Sequence, residues 1–187
     1  DGLVFVLRKF PGDPGGTGGG LGYIDIDNSV GVEMDTWNNA EYGDTPEDHI
    51  GMHSNGLITH DLQAAISMYN FEDGMNHLFR VTWDPVSMDL VIYFDDTEIF
   101  TYTGDLTATF FDDDPTVYFG WTAGTGGAFN RQVVCSYRVV DFTTDFTDGM
   151  GTTMAWVGQE ISFFDSSTSD LIYDDVDIIE WEWDFGD

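Results

Sequence analysis

The stretch GVEMDTWNNAEYGDTPEDHIG, residues 31–51, decides the reading of this chain. Its first half is a strand. Val30, Val32 and Met34 share one apolar face, so Glu33 and Asp35 lie on the other, and Trp37 and Asn39 continue that parity as the strand ends. Two carboxylates two residues apart on one face repel each other unless a cation or a proton stands between them. A loop follows with Asp44 and, five residues later, His49. Folded back, it adds a carboxylate and an imidazole to the same place. Asp and Asn oxygens with a backbone carbonyl suit calcium. Glu, Asp and His together suit a borderline transition metal such as manganese. Taken alone, Glu33 and Asp35 read as the polar outer face of a strand, ahead of a solvated acidic loop.

Outward from this stretch, strand signals dominate. LVFVL (3–7), SVGVEMDT (29–36), HLFRVTW (77–83), DLVIYF (89–94), TVYFGWT (116–122) and QVVCSYRVV (132–140) are rich in β-branched and aromatic residues. PGDPGG, EDG, DP, DD and TGG punctuate them as turns. In HLFRVTW, Phe79, Val81 and Trp83 point one way while Arg80 and Thr82 point the other, the mark of a half-buried antiparallel strand. No segment carries a long helical period; DLQAAI (61–66) comes nearest and is short. The expected fold class is all-β, two packed sheets. PGDPGGTGGG (11–20) lacks a following GK[ST] and so is no phosphate cradle; it reads as a connector, or as backbone able to approach a ligand closely.

Composition narrows the function. The 187 residues include 35 acidic and 5 basic ones, a formal charge of −30, which excludes nucleic acid as a partner and disfavours an anionic membrane surface. The 42% hydrophobic content argues against disorder. No apolar run approaches the ~20 residues of a membrane helix, so no membrane insertion is expected. Most of the carboxylates serve solubility, and a protein working in calcium carries a similar load. Residues 141–187 hold thirteen acidic residues and no Lys or Arg, a shift that marks a boundary near residue 145. The single cysteine, Cys135, can form neither an internal disulfide nor a zinc cluster, and its strand parity with Val133 and Tyr137 suggests a small buried hydrophobe. His53, His60 and His77 are scattered along strands and turns and read as surface or partly buried polar residues rather than metal ligands.

The order ExDTWxN…DxxxxH followed by IG resembles the metal-binding signature of L-type lectins, the legume-lectin-like family. DGLVFVL (1–7) resembles that family's first sugar-binding loop and strand, and GGGLGY (18–23) its second loop. WDP (83–85) with DLVIYFDD is similar to the back-half strands of bacterial members, and VYFGWTAGTGG (117–127) with QVVCSYRV to the fourth loop between its strands. The resemblance covers roughly residues 1–140 and implies a concanavalin A-like jelly-roll sandwich. It also implies roles. Glu33 and His49 would bind a transition metal, Mn2+ or a second divalent cation. Asp35 and Asp44 would bridge it to Ca2+, with the Trp37 carbonyl and the Asn39 side chain completing calcium's protein ligands. Asp1 would accept hydrogen bonds from the sugar, the backbone of Gly19 or Gly20 would donate one, Asn39 would add its amide, and the Trp37 ring would stack on the sugar. Thr125 and Gly126 lie in the loop expected to vary with specificity. Glycans or glycoproteins are the implied partners, with the homodimers common in the family open to the full-length protein. Family members carry a front segment before the DG motif, and this chain begins at that motif, so the sandwich is expected to be incomplete.

Two other readings compete. Glycoside hydrolases of the laminarinase type share the sandwich and use ExDxxE, the outer glutamates acting as nucleophile and acid/base. Here the last position is Asn38, whose amide cannot protonate a leaving group. A structural adhesin repeat would be expected to have lost some of Glu33, Asp35, Asn39, Asp44 and His49. Beyond residue 143, GQEISFFDSSTSD (158–170) and IIEWEWDFGD (178–187) resemble the first half of a PKD domain, an immunoglobulin-like β-sandwich. The expected organisation is a lectin-like domain over 1–143, a linker over 144–154 and a partial PKD-like domain over 155–187. The pairing implies a bacterial, extracellular or cell-surface, multidomain protein.

Overall fold

The computed structural model describes residues 1–127 and 129–135, with the strand pairs 142–143, 146–147, 164–165 and 168–169. It divides into two units, Asp1–Gln132 and Val133–Asp187. The first contains strands β1 (Gly2–Arg8), β2 (Ser29–Asp35), β3 (His49–Ser54), β4 (Gln63–Ser67), β5 (Phe79–Asp84), β6 (Asp89–Phe94), β7 (Thr97–Thr103) and β8 (Tyr118–Gly124), and one helical turn and a half, α1 (Leu106–Phe110). Five strands form an antiparallel sheet in the order β4-β3-β2-β1-β8, and three form a second, β5-β6-β7.

The two sheets are built from different patterns. β6 alternates, with Leu90, Ile92 and Phe94 buried and the residues between them half-exposed. Its hairpin with β7 closes through Asp95 and Asp96, both at positive φ (46° and 60°), as a two-residue turn of matching twist requires. β2 and β3 are buried along their whole length. One face of β2, through Val30, Val32 and Met34, meets Leu90, Ile92, Phe94 and Phe100 of the smaller sheet in the main core. Each such side chain taken fully from water contributes about 1.5–3 kcal/mol. Phe5, Phe79 and Trp121 add an aromatic triangle between the sheets, with ring centroids 5.4–5.9 Å apart. The other face of the larger sheet is covered by loops. Val4, Val6, Leu21, Tyr23, Ile26 and Ile58 make a second, smaller core there. Val4 stands opposite Glu33 in the ladder, so Glu33 is on this loop-covered face. It is therefore not the solvated outer strand face that Glu33 and Asp35 suggest when read alone: the two residues are 3% and 2% exposed.

Within DLQAAI, the segment nearest a helical period, Gln63–Ile66 belong to strand β4, because the edge of β3 offers a ladder, Ile50 pairing with Ile66. A short helix, which no long apolar period announces, lies at Leu106–Phe110, where the Asp105 side chain caps the Ala108 N–H at 3.0 Å and Leu106 and Phe110 are buried. One local expectation is corrected. Cys135 is exposed and outside any described strand. In the second unit, Phe142–Thr143 pairs with Thr168–Ser169 and Phe146–Thr147 with Phe164–Asp165, both antiparallel. The rest of the PKD-like reading, WDFGD included, lies outside the described residues. Among the described residues, no helix is long and apolar enough to cross a membrane.

Candidate metal and carbohydrate site

The loop-covered face of β2 and β3 gathers the charged residues. Ladder pairing places Asp35 opposite His49, Glu33 opposite Gly51 and Gly31 opposite His53, so one sheet face presents Glu33, Asp35, His49 and His53 together. Gly51 matters because it has no side chain. A Cβ there would lie 2.2 Å from Cδ2 of His60 and 3.3 Å from Glu33 Oε1. The vacant position lets the His60 ring lie over the sheet and bond Nε2 to Glu33 Oε1. His60 arrives from the β3–β4 connection. That loop is tied back by Asp61, which accepts from the backbone and hydroxyl of Ser54 at 2.9 and 2.6 Å. His60 itself sits at φ 54°, a left-handed conformation costing about 1–2 kcal/mol in an L-residue. Asp44 comes from the β2–β3 loop, its Oδ2 accepting the Asn39 N–H at 2.6 Å.

The resulting group is closed from solvent. Side chains of Glu33, Asp44, His49, His53 and His60 are 0–4% exposed. Nε2 of His49 lies 3.4 Å from Glu33 Oε1 and 3.6 Å from Asp44 Oδ1, yet has no hydrogen-bond partner. His53 Nε2 stands 2.8 Å from Glu33 Oε2, also without the alignment of a hydrogen bond. Burial pushes the Glu33 carboxyl up, but the imidazoles of His49, His53 and His60 outweigh it and hold Glu33 well below the usual carboxylate range. Burial pulls His49 down, but Asp44 and Glu33 overcome it and carry the imidazole up to about 10. His60 is raised in the same way, Glu33 outweighing burial.

Glu33, Asp44, His49 and His60 each offer one ligand atom, all within 4.8 Å of one another. The donors fit a divalent cation on the evidence of the fold itself: a buried, unpartnered His49 nitrogen faces two carboxylates that cannot reach water. Bound there, a cation would supply fixed positive charge in place of the protons that otherwise balance Glu33 and Asp44. Asp35 is turned elsewhere. Its Oδ1 accepts from the Asp1 amino group at 3.0 Å and the Trp37 N–H at 2.9 Å, while burial still raises its pKa. His60, read from sequence as a polar residue rather than a ligand, is in this ligand group, and His53, read the same way, stands beside Glu33. The periodicity of β3 could have signalled His53, which shares parity with His49; nothing local signals His60, eleven residues on and outside any strand.

The residues assigned to sugar lie around the mouth of these loops. Asp1 is buried, its Oδ1 accepting from Gln132 Nε2 at 2.7 Å, and its carbonyl accepts the Thr36 hydroxyl at 2.6 Å. The Gly18–Gly20 turn packs against the β2–β3 loop so closely that a Cβ on Gly19 would be 3.2 Å from Asn39 Oδ1. Gly20 is buried and donates its N–H to Thr17 O at 3.2 Å. Thr125 and Gly126 are exposed, and a Cβ on Gly126 would be 3.7 Å from Gly18 Cα. Trp37 is 51% exposed, a large apolar ring facing solvent beside a carboxylate- and amide-rich loop.

Known proteins are similar to this chain over part of its length. A galactose-binding lectin of Arachis hypogaea is 42% identical over 65 residues, 30% of this chain and 23% of that lectin. A 2-acetamido-2-deoxy-D-galactose-binding seed lectin of Cytisus scoparius is 31% identical over 98 residues, 49% of this chain and 38% of that protein. Among solved structures, peanut lectin with a nine-residue peptide superposes with a TM-score of 0.53 at 29% identity, covering 69% of this chain and 57% of that one. Winged bean acidic lectin complexed with methyl-α-D-galactose gives 0.53 at 26% identity over 68% and 55%. The chain thus spans only part of the length of each relative. The legume lectin domain model matches residues 1–148, a span that includes the strand, the acidic loop and the glycine turn that converge here, and the chain belongs to the legume lectin domain family.

Proposed function

We propose that this domain binds a galactose-class sugar, galactose or N-acetylgalactosamine, in a calcium-dependent manner, outside the cell and without catalysis. Calcium would take Asp35, Asp44, the Asn39 side chain and the Trp37 carbonyl, beside a second divalent ion held by Glu33, Asp44 and His49. The observation that carries the reading is the approach of the Gly18–Gly20 turn to Asn39, next to the exposed Trp37 ring. A backbone N–H and an amide for the polar edge of a sugar, with an aromatic ring for its apolar face, would be the donor set such a site needs. The sugar class is supported by the galactose-binding and N-acetylgalactosamine-binding relatives. The absence of catalysis is supported by Asn38, which stands where a double-displacement glycosidase needs its second carboxylate. Gly20 already uses its N–H within the turn, which favours Gly19 as the backbone donor toward sugar.

Calorimetry decides it. Galactose and N-acetylgalactosamine should bind with calcium present and lose binding in chelator. Trp37→Ala should cost about 1–3 kcal/mol of sugar affinity while calcium affinity stays within a few-fold, because only the carbonyl of Trp37 would serve the ion. Asn39→Ala should lose both. Sugar affinity unchanged by Trp37→Ala, or by chelation, overturns the assignment.

A further inference from the structure

The imidazoles around Glu33 are not equivalent, and their hydrogen bonds separate them. A backbone carbonyl only accepts, so a ring nitrogen beside one must carry the proton. Nδ1 of His49 faces the Glu47 carbonyl at 3.1 Å, and Nδ1 of His60 faces the Tyr42 carbonyl at 3.3 Å. Both rings therefore hold the proton on Nδ1 when neutral and present the Nε2 lone pair inward. His53 is reversed. Its Nδ1 accepts the backbone N–H of His60 at 3.2 Å, so its Nε2 bears the proton and points at Glu33 Oε2. Two rings present an inward lone pair by tautomer, and the third sets its Nε2–H 2.8 Å from the carboxylate without a hydrogen bond.

We propose that His60 is a direct ligand of the second cation, so that Glu33, Asp44, His49 and His60 form a two-imidazole, two-carboxylate site selecting a late first-row ion of the zinc class over manganese. This rests on the reading of Glu33, Asp44 and His49 as a metal position. The ligand atoms already stand near the required spacing. His49 Nε2 is 3.4 and 3.6 Å from the two carboxylates and His60 Nε2 is 3.8 Å from Asp44. Four ligands at about 2.0–2.1 Å around a tetrahedral ion are roughly 3.3 Å apart. The direct contact of His60 with Glu33 opens when an ion enters between them. Imidazole suits zinc, copper and nickel, whereas manganese, calcium and magnesium favour oxygen ligands and water. Solvent exclusion of all four side chains fits a closed, structural site. Gly51 is the enabling residue, since any Cβ there occupies the space of the His60 ring. His53 acts as a positioning residue: it fixes the Glu33 carboxylate without touching the ion.

The test uses the full chain, stripped with chelator and titrated separately with zinc and manganese chloride. Calcium is kept saturating. Zinc should bind at least about 100-fold more tightly than manganese. His60→Ala should weaken zinc at least about 100-fold and manganese less than about threefold. X-ray absorption of the zinc form should count two imidazoles in the parent, one in His60→Ala and two in His53→Ala, the last with affinity for both ions down about 10-fold. The parent count keeps the proposal falsifiable even if a variant misfolds. A single imidazole in the parent, or zinc affinity unmoved by His60→Ala, overturns it while leaving the metal position intact. Glu33→Ala with no effect on either ion would instead remove the metal position itself, and this proposal with it.

Discussion

Two groups of histidine and carboxylate stand in this domain, and they differ. In the segment ahead of β5 and the β6–β7 turn, His77 lies between Asp73 and Asp95, with Nε2 3.1 Å from one and Nδ1 2.7 Å from the other. Asp95 also accepts from the Tyr69 hydroxyl at 2.5 Å and the Leu78 N–H at 2.8 Å. The carboxylates are 39–43% exposed, and both ring nitrogens of His77 have partners. On the larger sheet, three imidazoles surround Glu33 in a solvent-free space, and the Nε2 atoms of His49 and His53 lack hydrogen bonds. The residue types are the same. Burial and unmet valence distinguish a group that needs a ligand from one that is complete. Each group has two carboxylates, so the difference lies in burial and in how many imidazoles face them.

The largest expected difference comes from removing one carboxylate from each. Glu33→Gln in chelator leaves buried imidazoles without their counter-charge, and breaking a buried pair from one side costs about 3–5 kcal/mol. Asp95→Asn disturbs an exposed pair worth about 0.2–1 kcal/mol. Urea denaturation of both variants measures the gap. Equal losses would erase the distinction between the groups.

Adding metal should produce the next largest effect. An ion bound to the folded chain at 100 times its dissociation constant stabilises by about 2.7 kcal/mol. Protein carrying Glu33→Gln should lose most of this gain, and protein carrying Asp95→Asn should keep all of it. Thermal denaturation with and without zinc reads both. A gain that follows Asp95 instead would place the ion on the wrong group.

Gly51→Ala sharpens the comparison from the packing side. Its Cβ collides with the His60 ring, and overpacking of this kind costs about 1–3 kcal/mol. The strand itself should tolerate alanine, so the cost belongs to His60. The double variant Gly51→Ala with His60→Ala should therefore recover stability relative to Gly51→Ala alone, as denaturation midpoints will show. No recovery would mean that the strand backbone, not the ring, needs glycine.

These contrasts also mark what was legible in the sequence. The alternation of Leu90, Ile92 and Phe94 is written plainly because that sheet has one wet face. β2 reads as half-polar, yet is buried throughout, because loops cover its second face and the polar side chains meet one another there. Glu33, Asp44 and His49 could be drawn together because a strand and a short loop connect them. His60 could not. Its place depends on a left-handed turn, on Asp61 holding Ser54, and on an empty position at Gly51, none of which has a periodic signal. Helix α1 was hidden for a related reason: five residues do not complete an apolar period, and only the Asp105 cap announces it.

The smallest effect concerns protons at His77. Asp95 is the first cause of a raised His77 pKa, ahead of burial, which opposes it, and of Asp73. Asp95 in turn is lowered to about 2, through Tyr69 first and then His77. For a histidine raised on folding, the stabilisation is complete below its unfolded value, near 6.5, and disappears as pH rises through the folded value. For a carboxylate lowered on folding, it is complete above about 4 and disappears as pH falls through about 2. The pair therefore contributes only between the low Asp95 titration and the raised His77 one, and by less than about 1 kcal/mol because it is exposed. In the metal-free chain His49 holds its proton to about 10, so the two groups separate on the alkaline side. Histidine ring signals followed by NMR from pH 5 to 11 should show His77 titrating above ~6.5 and His49 far above it. Asp95→Asn should return His77 toward ~6.5 and leave His49 in place. Zinc should remove the His49 titration altogether, since its nitrogen is then bonded, and leave that of His77 unchanged. A His77 titration that shifts with zinc would join the two groups that the fold keeps apart.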